Sequence, residues 1–400
     1  MLISDGGAAL SILTAFVVLI IIGLILSGIS KKLRISNILL LIITGLIIGH
    51  FFSEYHLFNI SREAILTIAI LALVLVVFDG SSRFKIKSLD KLSFPALKLS
   101  GLFLSLNLIF ITIITMFLFF EVTLESLFYS LAFASIISGT DPASVFVMLR
   151  NKSGKVLEFL KIEGIINTPI MVLIPFILLD ILNQIKNQVA ISVEVHIAAI
   201  LTQILVGIGS GIVVGLIFFK GMKKFSEQTS GLSLICSALL AFILAENLGG
   251  NGVLAVAVLG FMFGAFYISK KEILQEFNEM LSNSLEILVF IIIGLVVTVN
   301  IDLTFILKSL VIFAILIITR FLSIIISLKN DNYTTNEIIY MTLVMPKGIA
   351  VAVLIVALSI INNPHIEIIN NLLVAIIIYS VILSTIINKF SYNLINTKVE

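Results

Sequence analysis

The chain has little of what a soluble protein carries on its surface. Only 12% of its 400 residues are charged, about half the share of an ordinary soluble domain, whereas 60% are hydrophobic. It has no tryptophan, and its single cysteine, Cys236, excludes an internal disulfide and a thiolate metal cluster. The 25 Lys and Arg residues nearly balance the 23 Asp and Glu residues, so the charge gives no indication of nucleic acid as a partner. These shortages exclude a soluble globular domain, a disordered segment and a secreted disulfide scaffold.

Long apolar runs take the place of the missing charges. Since a membrane helix needs about 20 mostly apolar residues, these runs predict an all-α protein that crosses the lipid bilayer repeatedly. No linker or soluble regulatory domain interrupts the runs, which predicts a single membrane domain over residues 1–400. Numbered in chain order, the predicted spans lie at approximately 8–28, 36–53, 64–80, 95–119, 126–150, 156–180, 195–220, 231–247, 251–268, 281–299, 305–327, 337–361 and 368–388.

Basic residues are unevenly distributed between the loops that join these thirteen spans. The odd-numbered loops and the C-terminal tail hold nineteen Lys and Arg residues, whereas the even-numbered loops hold only Arg62, Lys186 and Lys308. Because basic loops stay on the cytoplasmic side, we predict an N-terminus outside the cell and a cytoplasmic C-terminus. The predicted location is the plasma membrane.

Two of the spans contain residues that interrupt a helix. Span five includes Gly139-Thr140-Asp141-Pro142-Ala143-Ser144, and span twelve includes Met345-Pro346-Lys347-Gly348. Proline and glycine at these depths predict local unwinding, which a membrane tolerates only inside protein or beside water. The breaks occupy corresponding positions of two predicted inverted repeats, residues 8–182 and 231–388, which span seven connects. This pattern indicates a transport site, the alternative being two proline kinks without a function.

Asp141 is the strongest candidate for that site. A carboxylate beside freed carbonyls and the Thr140 hydroxyl can bind a small cation or a proton, but not both at once. Such competition would couple the movement of the two ions. The alternative is that Asp141 caps the second half of span five, as Asp does at helix N-termini.

Other intramembrane charges need partners. Arg320 has no charged residue within eight positions on either side, and Glu163 is its predicted partner. Asn167 shares a helix face with Glu163, because four residues separate them. Whether this polar cluster is structural or takes part in transport stays open. We expect Lys347 to balance either Asp141 or the negative end of the first half-helix.

Two further acidic residues have no assigned role from the residues alone. Asp79 lies at the predicted cytoplasmic end of span three, where it either lines an ion path or is solvated. Glu286 caps or enters span ten. The chain contains no HExxH, GxSxG or phosphate-loop pattern, so we predict neither an enzyme nor a bound cofactor. Gly207, Gly211 and Gly215 recur at four-residue spacing, which predicts close helix packing.

These motifs carry a family resemblance that extends over nearly the whole chain. They are SGTDPASV, EGIINTP, Arg320 and MPKGIA, with ISNILLLIITGLIIG, VVFDGSSRF and GGNGVLAVAVLGFMFG in support. The chain resembles the cation:proton antiporter superfamily, and among its members the NhaP-like sodium/proton exchangers. The resemblance implies thirteen helices in two inverted repeats, crossed broken helices, a homodimer and alternating access. It also implies Thr140 and Asp141 at the crossing, a structural cluster of Glu163, Asn167 and Arg320, and Asp79 near the ion path.

One departure from the family motif bears directly on the chemistry. The motif reads Glu-Ser-x-x-Asn-Asp, whereas this chain has Gly164 for the Ser and Thr168 for the second Asp. Threonine offers a cation one oxygen but does not exchange a proton near neutral pH. Three hypotheses follow: exchange of Na⁺ or K⁺ for H⁺ with Asp141 as the shared carboxylate, cation movement without proton coupling, and a membrane scaffold or sensor without transport.

Overall fold

The structure is a computed structural model, and it describes residues 2–33, 36–52, 62–82, 86–141, 152–187, 193–222, 227–265, 271–297, 302–329, 331, 333–359, 361, 363–390, 395 and 398–399. Within these residues the chain forms fourteen helices and one short antiparallel pair of strands, β1 (Lys152–Ser153) and β2 (Lys398–Val399). The helices are α1 Leu2–Leu33, α2 Asn37–Phe52, α3 Arg62–Ser82, α4 Ile86–Phe119, α5 Leu124–Ile137, α6 Lys155–Lys186, α7 Val193–Met222, α8 Glu227–Asn247, α9 Gly252–Ala265, α10 Lys271–Val296, α11 Leu303–Ser327, α12 Thr335–Leu343, α13 Ile349–Ser359 and α14 Pro364–Lys389.

The helices are apolar along most of their length. Among the described residues, seven are long and apolar enough to cross a membrane, and six further apolar stretches have 10–17 residues. Each predicted span contains a helix or a pair of helices. The predicted all-α, multi-pass membrane fold is therefore confirmed, while the exact number of crossings and the inverted repeats stay predictions.

Two helices begin well before the spans predicted for them. Helix α4 begins at Ile86 and α10 begins at Lys271, whereas the apolar runs begin near 95 and 281. The added segments, IKSLDKLSF and KEILQEFNEM, carry too many charges to count as membrane-spanning. They are rich in Lys, Leu, Glu and Gln, which favour helices, so each helix continues through them.

The helix of span twelve is divided in two. Helix α12 ends at Leu343, residues 344–348 are not helical, and α13 begins at Ile349. Pro346 has no N–H to continue the helix, which accounts for the end of α12 at this point. In span five, α5 ends at Ile137, and residues 139–141 are not helical. Residues 142–150 lie outside the described residues. They include the predicted second half of span five, which Asp141 would cap.

The helices pack as two groups. The first group comprises α1, α2, α3, α7, α8, α9 and α10, and the second comprises α4, α5, α6, α11, α12 and α14. Helix α13 follows α12 in the same span and contacts α14, α5 and α6, so we count it with the second group, although it packs more extensively against α3 and α10. The groups meet most extensively where α13 packs against α3 and α10. The two nonhelical segments both belong to the second group, and α13 places the end of one of them beside the first group.

Glycines allow the closest helix contacts in the first group. A Cβ atom added to Gly207 would lie 2.7 Å from the Asn251 carbonyl oxygen, and one added to Gly211 would lie 2.4 Å from that of Ala255. Any side chain at these positions would therefore push α7 away from α9. The close packing predicted from the four-residue glycine spacing is confirmed.

Candidate functional site

The two nonhelical segments lie against each other at Asp141. The Asp141 backbone N–H donates a hydrogen bond of 3.0 Å to the Pro346 carbonyl oxygen. A Cβ atom added to Gly348 would lie 2.0 Å from Asp141 Oδ2, so the carboxylate occupies the space that the missing side chain leaves. Only 4% of Asp141 is exposed in the chain. An ionisable group is therefore buried within this group of helices, beside backbone groups that take no part in helical hydrogen bonds.

Glu163 on α6 and Arg320 on α11 form an ion pair beside this point. Arg320 Nη1 and Nη2 donate hydrogen bonds of 2.7 and 2.6 Å to the two Glu163 oxygens, and neither residue is exposed. The Thr140 hydroxyl donates to Glu163 Oε1 at 3.1 Å. The Arg320 guanidinium also lies over the Phe103 ring, 5.0 Å from its centre. Because Arg320 binds both carboxylate oxygens, its positive charge compensates the negative charge of Glu163. Glu163 in turn holds Thr140, the residue that precedes Asp141.

Asparagine side chains fix the end of α5. Asn167 Nδ2 donates a hydrogen bond of 2.7 Å to the Ser138 carbonyl oxygen, which the end of the helix leaves without a helical partner. Asn107 Nδ2 donates to the Ser138 hydroxyl at 3.1 Å, and the Thr319 hydroxyl donates to Asn107 Oδ1 at 2.7 Å. Three residues of the site are not predicted from the sequence: Asn107, Ser138 and Thr319. The isolated amide of Asn107 within an apolar run was a usable signal.

Lys347 extends into the same interior. Its ammonium donates a hydrogen bond to the Gly139 carbonyl oxygen, and its backbone N–H donates to the Ser380 hydroxyl at 3.2 Å. The residue is not exposed, and the ammonium lies 5.5 Å from the centre of the Phe103 ring. Of the two partners expected for Lys347, this contact is with the carbonyl end of α5, where a positive charge is favourable.

Thr168 is buried on α6, one position after Asn167. Its hydroxyl donates a hydrogen bond of 2.7 Å to the Gly164 carbonyl oxygen of its own helix. The oxygen keeps its lone pairs as acceptors, so Thr168 can offer a ligand atom but has no titratable proton. Among the described residues, no group of three or more His, Cys, Asp or Glu side chains is arranged to hold a metal ion.

Asp79 lies apart from these residues in the fold, because α3 belongs to the first group of helices. Its carboxylate is half-buried, and Asn278 Nδ2 on α10 donates to Asp79 Oδ1 at 3.4 Å. The structure therefore brings together Thr140, Asp141, Glu163, Asn167, Arg320 and Lys347 in one group of helices, and it places Asp79 on the other.

Buried ionisable groups gathered around interrupted helices are the arrangement of a membrane ion transporter. Comparison with known families agrees with this class. The family described as "Sodium/hydrogen exchanger, transmembrane" matches residues 11–395 of the chain. The chain belongs to this family.

Individual relatives are distant. The K(+)/H(+) antiporter NhaP2 of Shewanella sp. (strain MR-4) is 22% identical over 69% of this chain and 48% of its own length. The low-affinity Na(+)/H(+) antiporter NhaS1 of Synechocystis sp. is 27% identical over 64% of this chain and 47% of its own length. The chain thus spans about half the length of the curated relatives it matches.

A solved structure matches the fold over almost its full length. The sodium proton antiporter MjNhaP1 from Methanocaldococcus jannaschii superimposes with a TM-score of 0.77, covering 96% of this chain and 99% of that one. The sequence identity is 20%. The likeness shows that the two chains share a fold, as the family resemblance implied.

Proposed function

We propose that the chain exchanges a monovalent cation, Na⁺ or K⁺, for H⁺ by alternating access, with Asp141 as the carboxylate that binds the two ions in turn. The observation that carries the proposal is the position of Asp141, buried at the contact of two nonhelical segments and beside Gly348. A buried carboxylate is costly in a membrane, and the residues that bear this cost commonly lie on ion pathways. The relatives NhaP2, a K(+)/H(+) antiporter, and NhaS1, a Na(+)/H(+) antiporter, support both cations.

The surrounding charges suit this role. Glu163 is neutralised by Arg320, and the Lys347 ammonium is held at the Gly139 carbonyl oxygen. Asp141 is the carboxylate at the contact of the two nonhelical segments, where it can bind a cation or a proton. An ionised Asp141 attracts the cation, and protonation removes that attraction and releases it. Backbone carbonyl oxygens and the Thr140 and Thr168 hydroxyl oxygens supply the remaining hard ligands that such a cation prefers.

For the architecture of the whole chain, we propose what the family resemblance implies. A single transport domain over residues 1–400 is built from repeats at 8–182 and 231–388, which span seven (195–220) connects. It forms a homodimer in the plasma membrane, with the N-terminus outside and the C-terminus in the cytoplasm. The two packed groups of helices move against each other where α13 contacts α3 and α10, so that Asp141 opens to each side in turn.

The test uses purified protein in proteoliposomes with an imposed pH gradient and a dye for lumenal pH. Addition of Na⁺, K⁺ or Li⁺ is compared between the wild-type protein, Asp141→Asn and Asp302→Asn, which removes an exposed carboxylate before α11. We expect a cation to collapse the gradient with the wild type and Asp302→Asn, but not with Asp141→Asn. A wild-type protein that leaves the gradient intact with all three cations would overturn the proposal.

A second function, cation movement without proton coupling, is favoured by Thr168. Its hydroxyl is bonded to the Gly164 carbonyl oxygen and has no proton to exchange near neutral pH. Tracer uptake of the cation, measured together with lumenal pH, separates the two functions. Uncoupled movement predicts uptake with no pH change in the wild type and a new pH change in Thr168→Asp. Exchange predicts that uptake and pH change occur together in the wild type.

A further inference from the structure

The proposed function does not use Glu286, a half-buried carboxylate near the middle of α10. Residues three, four and seven positions further along the helix lie on the same face, and these are the buried Val289, Phe290 and Ile293. Ser284, two positions before Glu286, lies on the opposite side of the helix and is exposed. The carboxylate is therefore directed toward the interior of the protein, where a charged group needs a partner or a function.

Glu286 ends a row of polar side chains. Asn278, Ser282 and Glu286 follow one another at four-residue intervals, so they line one face of α10 over about 12 Å. Asn278 Nδ2 lies 3.4 Å from Asp79 Oδ1 and 3.4 Å from the Ser282 hydroxyl. This row runs from Asp79, at the end of α10 predicted to be cytoplasmic, toward the middle of the membrane.

One side-chain oxygen of the row accepts no hydrogen bond from the described residues. Asn278 is 1% exposed, and its Oδ1 atom has no hydrogen-bond partner in the part of the chain that the structure describes. Leaving a buried amide oxygen without a donor costs free energy. A cation passing along the row would satisfy this oxygen, as carbonyl and carboxylate oxygens are the ligands that hard cations prefer.

The helix that carries the row lies where the two helix groups meet. Helix α10 packs against α13, which begins directly after Gly348, the residue beside Asp141. Asp141 and Glu286 thus belong to opposite groups of helices on the two sides of this contact, and a cation held between two carboxylates would compensate both charges.

We infer that Glu286 is a second carboxylate of the transport site, and that Asn278 and Ser282 line the path along which Na⁺ or K⁺ reaches it. The inference rests on the proposed function. Glu286 supplies a second negative charge from the helix group opposite Asp141, so cation binding draws the two groups together.

The test measures the concentration of Na⁺ or K⁺ that gives half-maximal collapse of the pH gradient. Glu286→Gln keeps the shape of the side chain and removes its charge, and we expect this concentration to rise about tenfold or more. Glu286→Asp keeps the charge, and the expected rise is within about threefold. Glu276→Gln, which removes an exposed carboxylate of the same helix, should match the wild type. Gel filtration and thermal unfolding in detergent establish that each variant is folded.

The outcomes separate this inference from the proposed function. An inactive wild type refutes the proposed function, whereas an active wild type with an equally active Glu286→Gln refutes only the inference. Thr168→Asp combined with Glu286→Gln should restore the wild-type concentration, because it returns a carboxylate to the site from α6. A folded double variant whose half-maximal concentration is as high as that of Glu286→Gln would show that a carboxylate on α6 does not replace the one on α10.

If Glu286→Gln does not fold, Asn278→Ala tests the path instead. A severalfold rise in the half-maximal concentration supports the inference, and an unchanged concentration overturns it.

Discussion

Arg320 and Glu163, which stand 157 positions apart in the chain, meet in a fully buried ion pair with two short hydrogen bonds. The pair joins α11 to α6 next to the nonhelical segment of span five. Through the Thr140 hydroxyl, Glu163 also holds the residue before Asp141. Removal of one partner of such a pair is destabilising, because it leaves the other charge buried without compensation.

The first prediction concerns the loss of one partner of this pair. Arg320→Met or Glu163→Met leaves one buried charge uncompensated, and each should lower the free energy of unfolding by about 3–5 kcal/mol. Thermal unfolding in detergent measures the change. The double variant Glu163→Met with Arg320→Met removes both charges, so it should unfold closer to the wild-type temperature than either single variant. Single variants as stable as the wild type would contradict this reading of the pair.

The second prediction concerns the space beside Asp141. Gly348→Ala places a Cβ atom 2.0 Å from Asp141 Oδ2, so the carboxylate must move. We expect exchange to fall by about tenfold or more, since overpacking of this kind costs about 1–3 kcal/mol. Gly101→Ala is the control, because no atom lies within 4 Å of a Cβ added there. Equal exchange rates in the two variants would show that the position of Asp141 against Gly348 does not matter.

The third prediction concerns the contact of α7 with α9. Gly211→Ala brings a Cβ atom 2.4 Å from the Ala255 carbonyl oxygen, whereas a Cβ atom added to Gly209 has open space within 4 Å. Gly211→Ala should lower the free energy of unfolding by about 1–3 kcal/mol, and Gly209→Ala should not lower it. Comparison of the two melting curves in detergent checks this. If both variants melt together, the helices separate more easily than the structure indicates.

Much of the site could be predicted because charge is conspicuous in a membrane. Arg320 needs an anion within the bundle, and it pairs with Glu163, the partner that the sequence predicts. The breaks at Asp141 and Pro346 follow from proline and glycine chemistry, independently of tertiary contacts. These residues have a local cause that can be read without the fold.

The rest of the site depends on distant parts of the chain. Asn107, Ser138 and Thr319 are neutral, and many neutral polar residues in these helices only bond to their own backbone, as Ser323 does to Thr319. Apart from the isolated amide of Asn107, nothing local separates a residue of the site from these. The sequence predicts Glu286 near the edge of span ten, because the apolar run begins near 281. Helix α10 begins earlier, at Lys271, and therefore carries Glu286 near its middle. The first turns of α10 are charged but favour a helix, so the apolar run does not show where the helix begins.

The central claim is that one carboxylate, Asp141, binds the cation and the proton in turn. The most direct test is the half-maximal cation concentration of the wild type, measured in proteoliposomes over a series of pH values. The account predicts that this concentration rises as the pH falls, since a protonated Asp141 does not bind the cation, and that folded Asp141→Asn shows no exchange at any pH. A concentration that does not change with pH, or exchange that persists in Asp141→Asn, would contradict it.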